Sequence, residues 1–264
     1  LADDNQEHLR EYVDGIDVFI FDARAGVLAE RHHLERERLL LPLKVTLPEG
    51  EYKVVAIGNA LRETGIGVEG GYEKALVSRP ELLEKDGGAS GTFDRLYLGE
   101  TVITSKVMNE ARDVVRLYSQ HVKVHAVVLP DSDANAGTWF EQNKKTGFHL
   151  TMESPSARLS FSGQRAGETS FDLAFTAGEK NDRFLLDFNT LRFGDGDPLT
   201  IRLMQDEKVL CTVNVAQYIA QYPEQIRITG RQEAVLPLYF RQNPLSLSVS
   251  VKPWEAVDVI PITD

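Results

Sequence analysis

The residues best spaced for metal chemistry are Asp131, Asp133 and Asn135, which match positions 1, 3 and 5 of a calcium-binding loop. Such a loop also needs a glycine at position 6 and a bidentate carboxylate at position 12. Here those positions hold Ala136 and Gln142. A polar loop between strands therefore explains the segment better than a calcium site, and we predict no structural metal.

A second acidic segment, Asp195-Gly196-Asp197-Pro198, resembles an ion-binding turn. The same sequence is ordinary turn chemistry, because aspartate and glycine favour turn conformations and proline presets the backbone. We interpret this segment as a structural turn.

Two of the six histidines are spaced so that they would share one face of a strand. These are His121 and His125, at positions i and i+4. Along an extended chain they would lie about 13 Å apart, too far to bind one metal ion. We interpret both as solvated or half-buried strand residues.

Thiol chemistry is limited to one residue, Cys211. A single cysteine excludes an internal disulfide and a metal site built from several thiolates. It lies in the apolar run Lys208-Val209-Leu210-Cys211-Thr212-Val213, where a cysteine usually packs as a small hydrophobic residue. We therefore do not expect it to be reactive.

Sequence motifs for catalysis and nucleotide binding are missing. The chain has no G-x-S-x-G and no H-E-x-x-H, and its glycines between residues 65 and 91 match neither phosphate-binding pattern. We predict no catalytic, cofactor-binding or metal-binding residues and no enzymatic activity. The remaining enzyme hypothesis is a hydrolase whose catalytic groups come together from distant positions.

Length and charge restrict the class further. With 264 residues, of which 42% are hydrophobic, the chain has enough material for two cores. Forty acidic residues against 29 basic ones give a formal charge of −11. That charge repels phosphate backbones, so nucleic acid is not an expected partner. No apolar run reaches the length of a membrane helix.

The elements that would position any site are mostly strands. Residues 17–22 are nearly all apolar, which is typical of a strand buried on both faces. Pro48 and Gly50 form a turn that leads into a strand over residues 52–59. Residues 30–38 are charge-dense, and a short helix and an exposed hairpin arm both remain open there. Residues 39–46 follow as an edge strand or bulge, because Pro42 cannot donate to a ladder.

Further strands are predicted by alternating apolar and polar residues. Residues 148–152 and 157–161 form two of them, separated by a turn at Ser154-Pro155-Ser156. Helix is expected only near Pro80, near Tyr218 and within residues 5–12. The other predicted strands cover residues 96–99, 114–118, 122–129, 171–176, 184–193, 199–204, 209–215, 235–241 and 245–251.

These strands predict an all-β fold of two tandem antiparallel β-sandwich domains, because strands at 8-to-12-residue spacing in a block of about 100 residues are typical of a sandwich. We place the boundary in the polar residues 163–169, with the loop at 131–137 as the alternative. The first domain then spans residues 1–164, with a long glycine-rich excursion at 60–113. The second spans residues 165–264.

Several motifs, in this order along the chain, carry a family resemblance. Together they resemble the fimbrillin-A-associated anchor proteins, which are the anchor subunits of type V pili in anaerobic Gram-negative bacteria. Each motif is mainly turn and core, so their collinearity carries the resemblance. The motifs are Ile16-Asp17-Val18-Phe19-Ile20-Phe21-Asp22, residues 47–59, Val114 to Leu117 with Val122-Lys123-Val124, residues 157–163, and Leu247-Ser248-Val249-Ser250-Val251-Lys252-Pro253-Trp254.

The resemblance implies transthyretin-like, Greek-key sandwiches in a non-enzymatic fimbrial lipoprotein. The family is secreted with a signal sequence and held at the outer membrane through an acylated (palmitate-type) cysteine near the mature N-terminus. No cysteine lies near Leu1, so the lipidated residue is expected upstream of residue 1, or this member is anchored differently. The expected partner is a fimbrillin (pilin) subunit, joined by β-strand addition.

The alternative function is a surface glycan-binding sandwich, which would present tryptophans on a solvent-facing platform. Only Trp139 and Trp254 are available for that role. For the anchor role, we expect the partner to bind at an edge or groove of the first domain. Pro253 and Pro261 make the C-terminal tail a poor donor strand. Deleting residues 255–264 should therefore lower stability without preventing partner capture.

Overall fold

The computed structural model describes residues 9–80, 92–107, 110–130, 136–180, 182–242 and 247–251. Strands account for 50% of the described residues and helices for about 12%, which confirms the all-β class. The strands are β1 Gly15–Asp22, β2 Leu28–Glu35, β3 Gly50–Gly58, β4 Gly65–Gly67, β5 Leu76–Ser78, β6 Tyr97–Ser105, β7 Tyr118–Ser119, β8 His121–Pro130, β9 His149–Ser160, β10 Arg165–Ala174, β11 Thr176–Ala177, β12 Phe184–Leu191, β13 Thr200–Gln205, β14 Lys208–Asn214, β15 Val235–Gln242 and β16 Leu247–Ser250. The helices are α1 Leu9–Tyr12, α2 Ala136–Asn143 and α3 Val215–Gln221, with 3-10 turns at Arg36–Arg38 and Tyr72–Lys74.

The strands form three sheets. Sheet I has the order β2-β1-β3-β6-β7, and sheet III has the order β11-β12-β8-β15-β16. Sheet II has the order β14-β13-β9-β5-β4, with β10 on the other side of β9. Every pairing is antiparallel except that of β8 with β15, which is parallel and therefore departs from the predicted all-antiparallel pattern.

Sheet I is covered on both faces, as the apolar run at residues 17–22 predicted. One face contributes Phe19 and Phe21 to the main core. The other contributes Val18 and Ile20 to a smaller core, which α1 and the segment after β2 cover. Because both faces lose contact with water, β1 tolerates an almost continuous apolar sequence.

The long hairpin of β9 and β10 pairs with different strands at its two ends. On its far side, β9 pairs with β13 through Glu153 and the residues before it, and with β5 through Arg158 and the residues after it. Between these two segments Ser154 has a φ of 65°, and the β9–β10 register shifts opposite it. A bulge of this kind increases the twist of a strand pair, so the two halves of the hairpin can face different sheets.

The aromatic contacts show where each half packs. Phe161, just after β9, lies 5.2 Å from Phe19 of sheet I between ring centroids. Phe171, on β10, lies 5.6 Å from Phe188 of sheet III. Residues of all three sheets therefore belong to one continuous hydrophobic core.

This arrangement changes two predictions. The Ser154-Pro155-Ser156 segment does not separate two strands, because β9 continues through it with a bulge. The proposed boundary at residues 163–169 falls on the turn and first part of β10, inside a hairpin. Strand pairing therefore does not divide the chain into residues 1–164 and 165–264.

The other predicted strands and helices have mixed outcomes. The charged run at 30–38 is the hairpin arm β2 followed by a 3-10 turn. Residues 39–46 form no strand; Leu39, Leu43 and Val45 instead cover the outer face of sheet I. Residues 114–117 also form no strand and run past Gly99 of β6.

Helices α1 and α3 confirm two predictions, whereas α2 was not predicted. Helix α2 forms because Phe140 is completely buried against Phe184, with their ring centroids 4.8 Å apart. The helix predicted after Pro80, at residues 81–85, lies outside the described residues, as do the C-terminal residues 252–264.

Candidate functional site

The acidic segments named in the sequence do not form a described ion site. Asp131, Asp133 and Asn135 lie outside the described residues. Asp195 accepts hydrogen bonds from the backbone N–H groups of Ile228 (2.8 Å) and Thr229 (3.2 Å). Asp197 accepts from the Gly194 N–H at 2.8 Å and from Arg165 at 3.2 Å. Both carboxylates therefore hold loops together.

His125 and Cys211 occupy ordinary structural settings. His125 Nδ1 lies 2.7 Å from Asp187 on the outer face of sheet III. Burial would raise the pKa of Asp187, but His125 and Lys123 outweigh it and lower that pKa. Cys211 is half-buried on β14, and burial raises the pKa of its thiol, which fits the predicted packing role.

His121 belongs to a charged cluster centred on Glu233. The cluster brings the carboxylate together with three side chains from two other parts of the chain. Tyr97 Oη donates to Glu233 at 2.6 Å, and Arg95 Nη2 donates at 3.0 Å. His121 Nε2 lies 3.5 Å from the same carboxylate, while its Nδ1 lies 3.1 Å from the Leu96 carbonyl oxygen. The imidazole is only 2% exposed.

The cluster stabilises the ionised carboxylate. Burial alone would raise the pKa of Glu233, but hydrogen bonds from His121, Tyr97 and Arg95 outweigh it and lower that pKa to about 2. Burial, followed by the negative charge of Glu233, raises the pKa of Tyr97 well above its usual range. Tyr97 therefore keeps its proton at physiological pH and donates a hydrogen bond to Glu233.

This cluster lies where the chain passes from sheet I to sheet III. Only Gln120 separates β7 from β8. Its N–H donates to the Leu96 carbonyl at 2.8 Å, and the Ser119 N–H donates to Gln232 Oε1 at 3.0 Å. Arg192 reaches across the same junction and donates to the carbonyls of Ser119 and Gln232, both at 3.3 Å.

A solvent-facing aromatic platform does not form around Trp139. The indole stacks on Phe148 at 6.1 Å and 19°, and lies edge-on to Phe184 at 5.6 Å. Its N–H donates to Gln242 at 3.2 Å. Trp139 thus closes one end of the core, and Trp254 lies outside the described residues. The glycan hypothesis loses the one tryptophan that the structure places.

The edge strands of the sheets are the remaining candidate surface for binding a partner strand. Among the described edge strands, three have seven or more residues: β2, β10 and β14. An edge strand presents unpaired N–H and C=O groups, and proteins usually protect such edges with charged side chains or bulges.

Two of these edges are protected. β2 carries Glu30, Arg31 and Glu35 and two histidines, and Arg31 donates to Asp17 at 3.1 Å. β10 carries Arg165, Glu168 and Asp172, and the bulge opposite Ser154 interrupts it. Strand pairing at either edge would place a partner beside several charges and, on β10, beside an irregular backbone.

The edge of β14 carries less charge than these two, although β14 also has a bulge, at Leu210 in its pairing with β13. Its only charged residue is Lys208, and Val209 is 47% exposed. β14 pairs with β13 on one side and has no ladder partner among the described strands on the other. Leu210 and Cys211 of β14 pack only partly buried against the core, as do Val249 of β16 and Val251 just after it, and β16 lies next to β14. We call this strip of two strand edges the β14 edge.

Sequence reasoning identified β14 as a strand but missed its exposed edge, and it also missed Glu233, Tyr97 and Arg95. The β14 sequence did not signal an edge, because an apolar strand with a single charge is unusual at an edge. The Glu233 cluster had no local signal, because its members lie up to 138 residues apart.

Within the described ranges, no helix has the length and apolar character needed to cross a bilayer. In the same ranges, no three His, Cys, Asp or Glu side chains converge as metal ligands.

Comparison with known families gives one match over almost the whole chain. Residues 2–259 match the model of the fimbrillin-A associated anchor proteins Mfa1 and Mfa2. No curated protein sequence matches the chain.

Solved structures share the fold at low identity. A candidate adhesin from Bacteroides ovatus is 15% identical, with a TM-score of 0.73, over 96% of this chain and 90% of that one. A candidate polysaccharide-binding protein from Bacteroides thetaiotaomicron is 12% identical, with a TM-score of 0.66, over 88% and 84%. The fimbrial anchor protein Mfa2 from Porphyromonas gingivalis is 17% identical, with a TM-score of 0.58, over 90% and 87%.

Proposed function

The chain belongs to the fimbrillin-A associated anchor proteins, and on this premise we propose that it binds a fimbrillin subunit by β-strand addition at the β14 edge. It acts as a non-enzymatic anchor or accessory subunit of fimbriae at the cell surface. A lipid attached upstream of residue 1 holds it in the outer membrane.

The observation that supports the binding mode is the weakly charged, partly apolar edge of β14. A strand that adds there gains main-chain hydrogen bonds on either side of the bulge at Leu210. It also covers the half-buried side chains of Leu210 and Cys211, which adds apolar burial to those bonds. The edges of β2 and β10 offer less apolar burial and more charge.

A donor strand that fits the β14 edge would be extended, would lack proline and would carry apolar side chains at alternate positions. This site lies beside sheet III, toward the second half of the molecule. The sequence-based expectation of an edge in the first half is therefore replaced by a different proposal.

Adding charged side chains to the β14 edge tests this proposal. The double variant Val209→Glu/Thr212→Glu places two carboxylates on exposed positions of β14. Its affinity for a fimbrillin subunit from the same organism, measured by biolayer interferometry, should fall at least about tenfold. The matched control is Ala166→Glu/Ser170→Glu on the exposed face of β10, which should bind as the wild type does.

The native thiol provides an independent readout. Because Cys211 lies on β14 and is half-buried, a bound strand should slow its reaction with a maleimide.

Unchanged fimbrillin affinity in the β14 variant, with loss of affinity in the β10 variant, would place the site on β10. Absence of fimbrillin binding by the wild-type protein would reject the function itself.

A further inference from the structure

The chain passes from sheet I to sheet III between β7 and β8, and we call this connection the β7–β8 joint. Sheets I and III each pack against the β9–β10 hairpin, through Phe161 and Phe171 respectively. They also meet directly where β7 gives way to β8 across Gln120. In addition, the segment that enters β6 shares hydrogen bonds with Asn189 of β12 through Thr92 and Phe93. These contacts add to the connection made by the β9–β10 hairpin and the chain crossing.

Glu233 lies at this joint and bonds to both sides of it. Only Ala234 separates it from β15 of sheet III. Two of its donors, Tyr97 and Arg95, belong to sheet I or to the segment that enters it. The third, His121, is the first residue of β8 in sheet III. One carboxylate thus receives donors from both sheets.

Neighbouring contacts depend on the same geometry. Gln232 accepts from the Ser119 N–H, so the residue before Glu233 fastens β7. On the other side, Arg95 lies 5.5 Å over the ring of Tyr12, which links the cluster to α1. Moving the carboxylate would disturb contacts to β6, β7, β8 and α1 together.

We propose that Glu233 is a latch that fastens sheet I to sheet III, so that the two halves respond to tension as one body. Its role in bearing load rests on the proposed fimbrial function, whereas its role in fastening the sheets stands on the contacts alone. Charge-assisted hydrogen bonds suit a latch because they are short, directional and about twice as strong as neutral ones. Releasing it exposes the β7–β8 joint while the β9–β10 hairpin keeps its own pairing.

The chain offers a matched control pair. Tyr72 Oη donates to Glu100 Oε2 at 2.5 Å, which is again a tyrosine bonded to a glutamate. Glu100 belongs to β6, and Tyr72 packs on the same sheet against Phe21. This pair therefore has similar chemistry and does not join sheet I to sheet III.

Hydrogen exchange of the full chain tests the fastening role without any partner. In Glu233→Gln, and independently in Tyr97→Phe, the amides of Ser119, Gln120 and Lys123 should exchange at least about tenfold faster. Amides of β9 and β10 should keep their wild-type rates. Glu100→Gln should leave the joint unchanged. Unchanged rates at the joint, or one uniform increase over all three sheets, would overturn the proposal.

Single-molecule extension between the two ends of the chain tests the load-bearing role. The wild type should rupture in one main step, and Glu233→Gln should show an added step at lower force. An unchanged force trace would reject load bearing. Because neither measurement uses fimbrillin, failure of the latch and failure of the binding proposal remain distinguishable.

Discussion

Tyr97 and Glu233 are hydrogen-bonded at 2.6 Å although 136 residues separate them in the chain. One lies on β6 of sheet I and the other just before β15 of sheet III. The contact forms only when sheets I and III come together, so its presence reports that both sheets have assembled.

The first prediction concerns acid stability. Glu233 has an ordinary pKa of 4.5 in the unfolded chain and about 2 in the fold. Because the folded value is the lower one, its charge stabilises the fold fully above about pH 4.5, and this stabilisation is lost as pH falls toward 2. Glu233→Gln should therefore show a shallower loss of unfolding free energy between pH 4.5 and 2.

Urea titrations at stepped pH values measure this difference. At neutral pH, where the wild-type carboxylate is ionised, the variant should be the less stable protein. Parallel curves for the two proteins over the acid range would mean that Glu233 is not coupled to folding.

The second prediction concerns the contact between sheets I and II. Phe161 is 1% exposed and touches both Phe19 and Phe21. Phe161→Ala should lower the free energy of unfolding by about 3–5 kcal/mol, because it removes a large buried side chain and leaves a cavity. Chemical denaturation gives the value. The exposed residue Val114 is the control, and Val114→Ala should change stability by less than about 0.5 kcal/mol.

The third prediction concerns Gly99. A Cβ atom there would lie 2.2 Å from the Arg116 carbonyl oxygen and 2.9 Å from Val115 Cγ1. Gly99→Ala should destabilise the fold by about 1–3 kcal/mol, since backbone must move to admit the methyl group. Gly137 lies in α2 with no atom within 4 Å of its Cβ position. Gly137→Ala should be neutral or stabilising, and equal losses in thermal unfolding would contradict the close approach.

The fourth prediction concerns the bulge in β9. Ser154 adopts a φ of 65°, which favours glycine. Ser154→Gly should be neutral or stabilise the protein by up to about 1 kcal/mol, whereas Ser154→Val should destabilise it by more than that. A β-branched valine tolerated without loss in a thermal melt would show that the left-handed conformation is not required.

The sequence predicted strands from local apolar runs and from alternation. β1 is an apolar run buried on both faces, whereas β8 and β13 alternate between buried and more exposed side chains over part of their length. The same rule predicted β14, although most of its side chains are exposed or half-buried. It failed at β9, because Ser154-Pro155-Ser156 carries the same residue types in a bulge as in a tight turn. It also failed at residues 39–46, where apolar residues cover a sheet without joining it.

Functional features were harder to predict than strands. The Glu233 carboxylate has no distinguishing neighbour in the sequence, and its donors come from the region of β6 and from β8. The exposed edge of β14 depends on strand order, which local periodicity does not specify. Both features are products of tertiary pairing and could be recognised only after the sheets were assembled.

The β9–β10 hairpin affects when the parts of the protein can fold during synthesis. Residues of β5 at 76–78 pair with β9, and β9 pairs with β10 as far as Ala174. Sheet III likewise joins β8 to β15, which ends at Gln242. A chain emerging from its N-terminus can complete the strands of sheet I by Ser119, but β5 and β8 lack their partners until β9, β12 and β15 have been synthesised. The complete core therefore forms late, and a cut near residue 164 would separate β10 from β9, and β12 and β15 from β8.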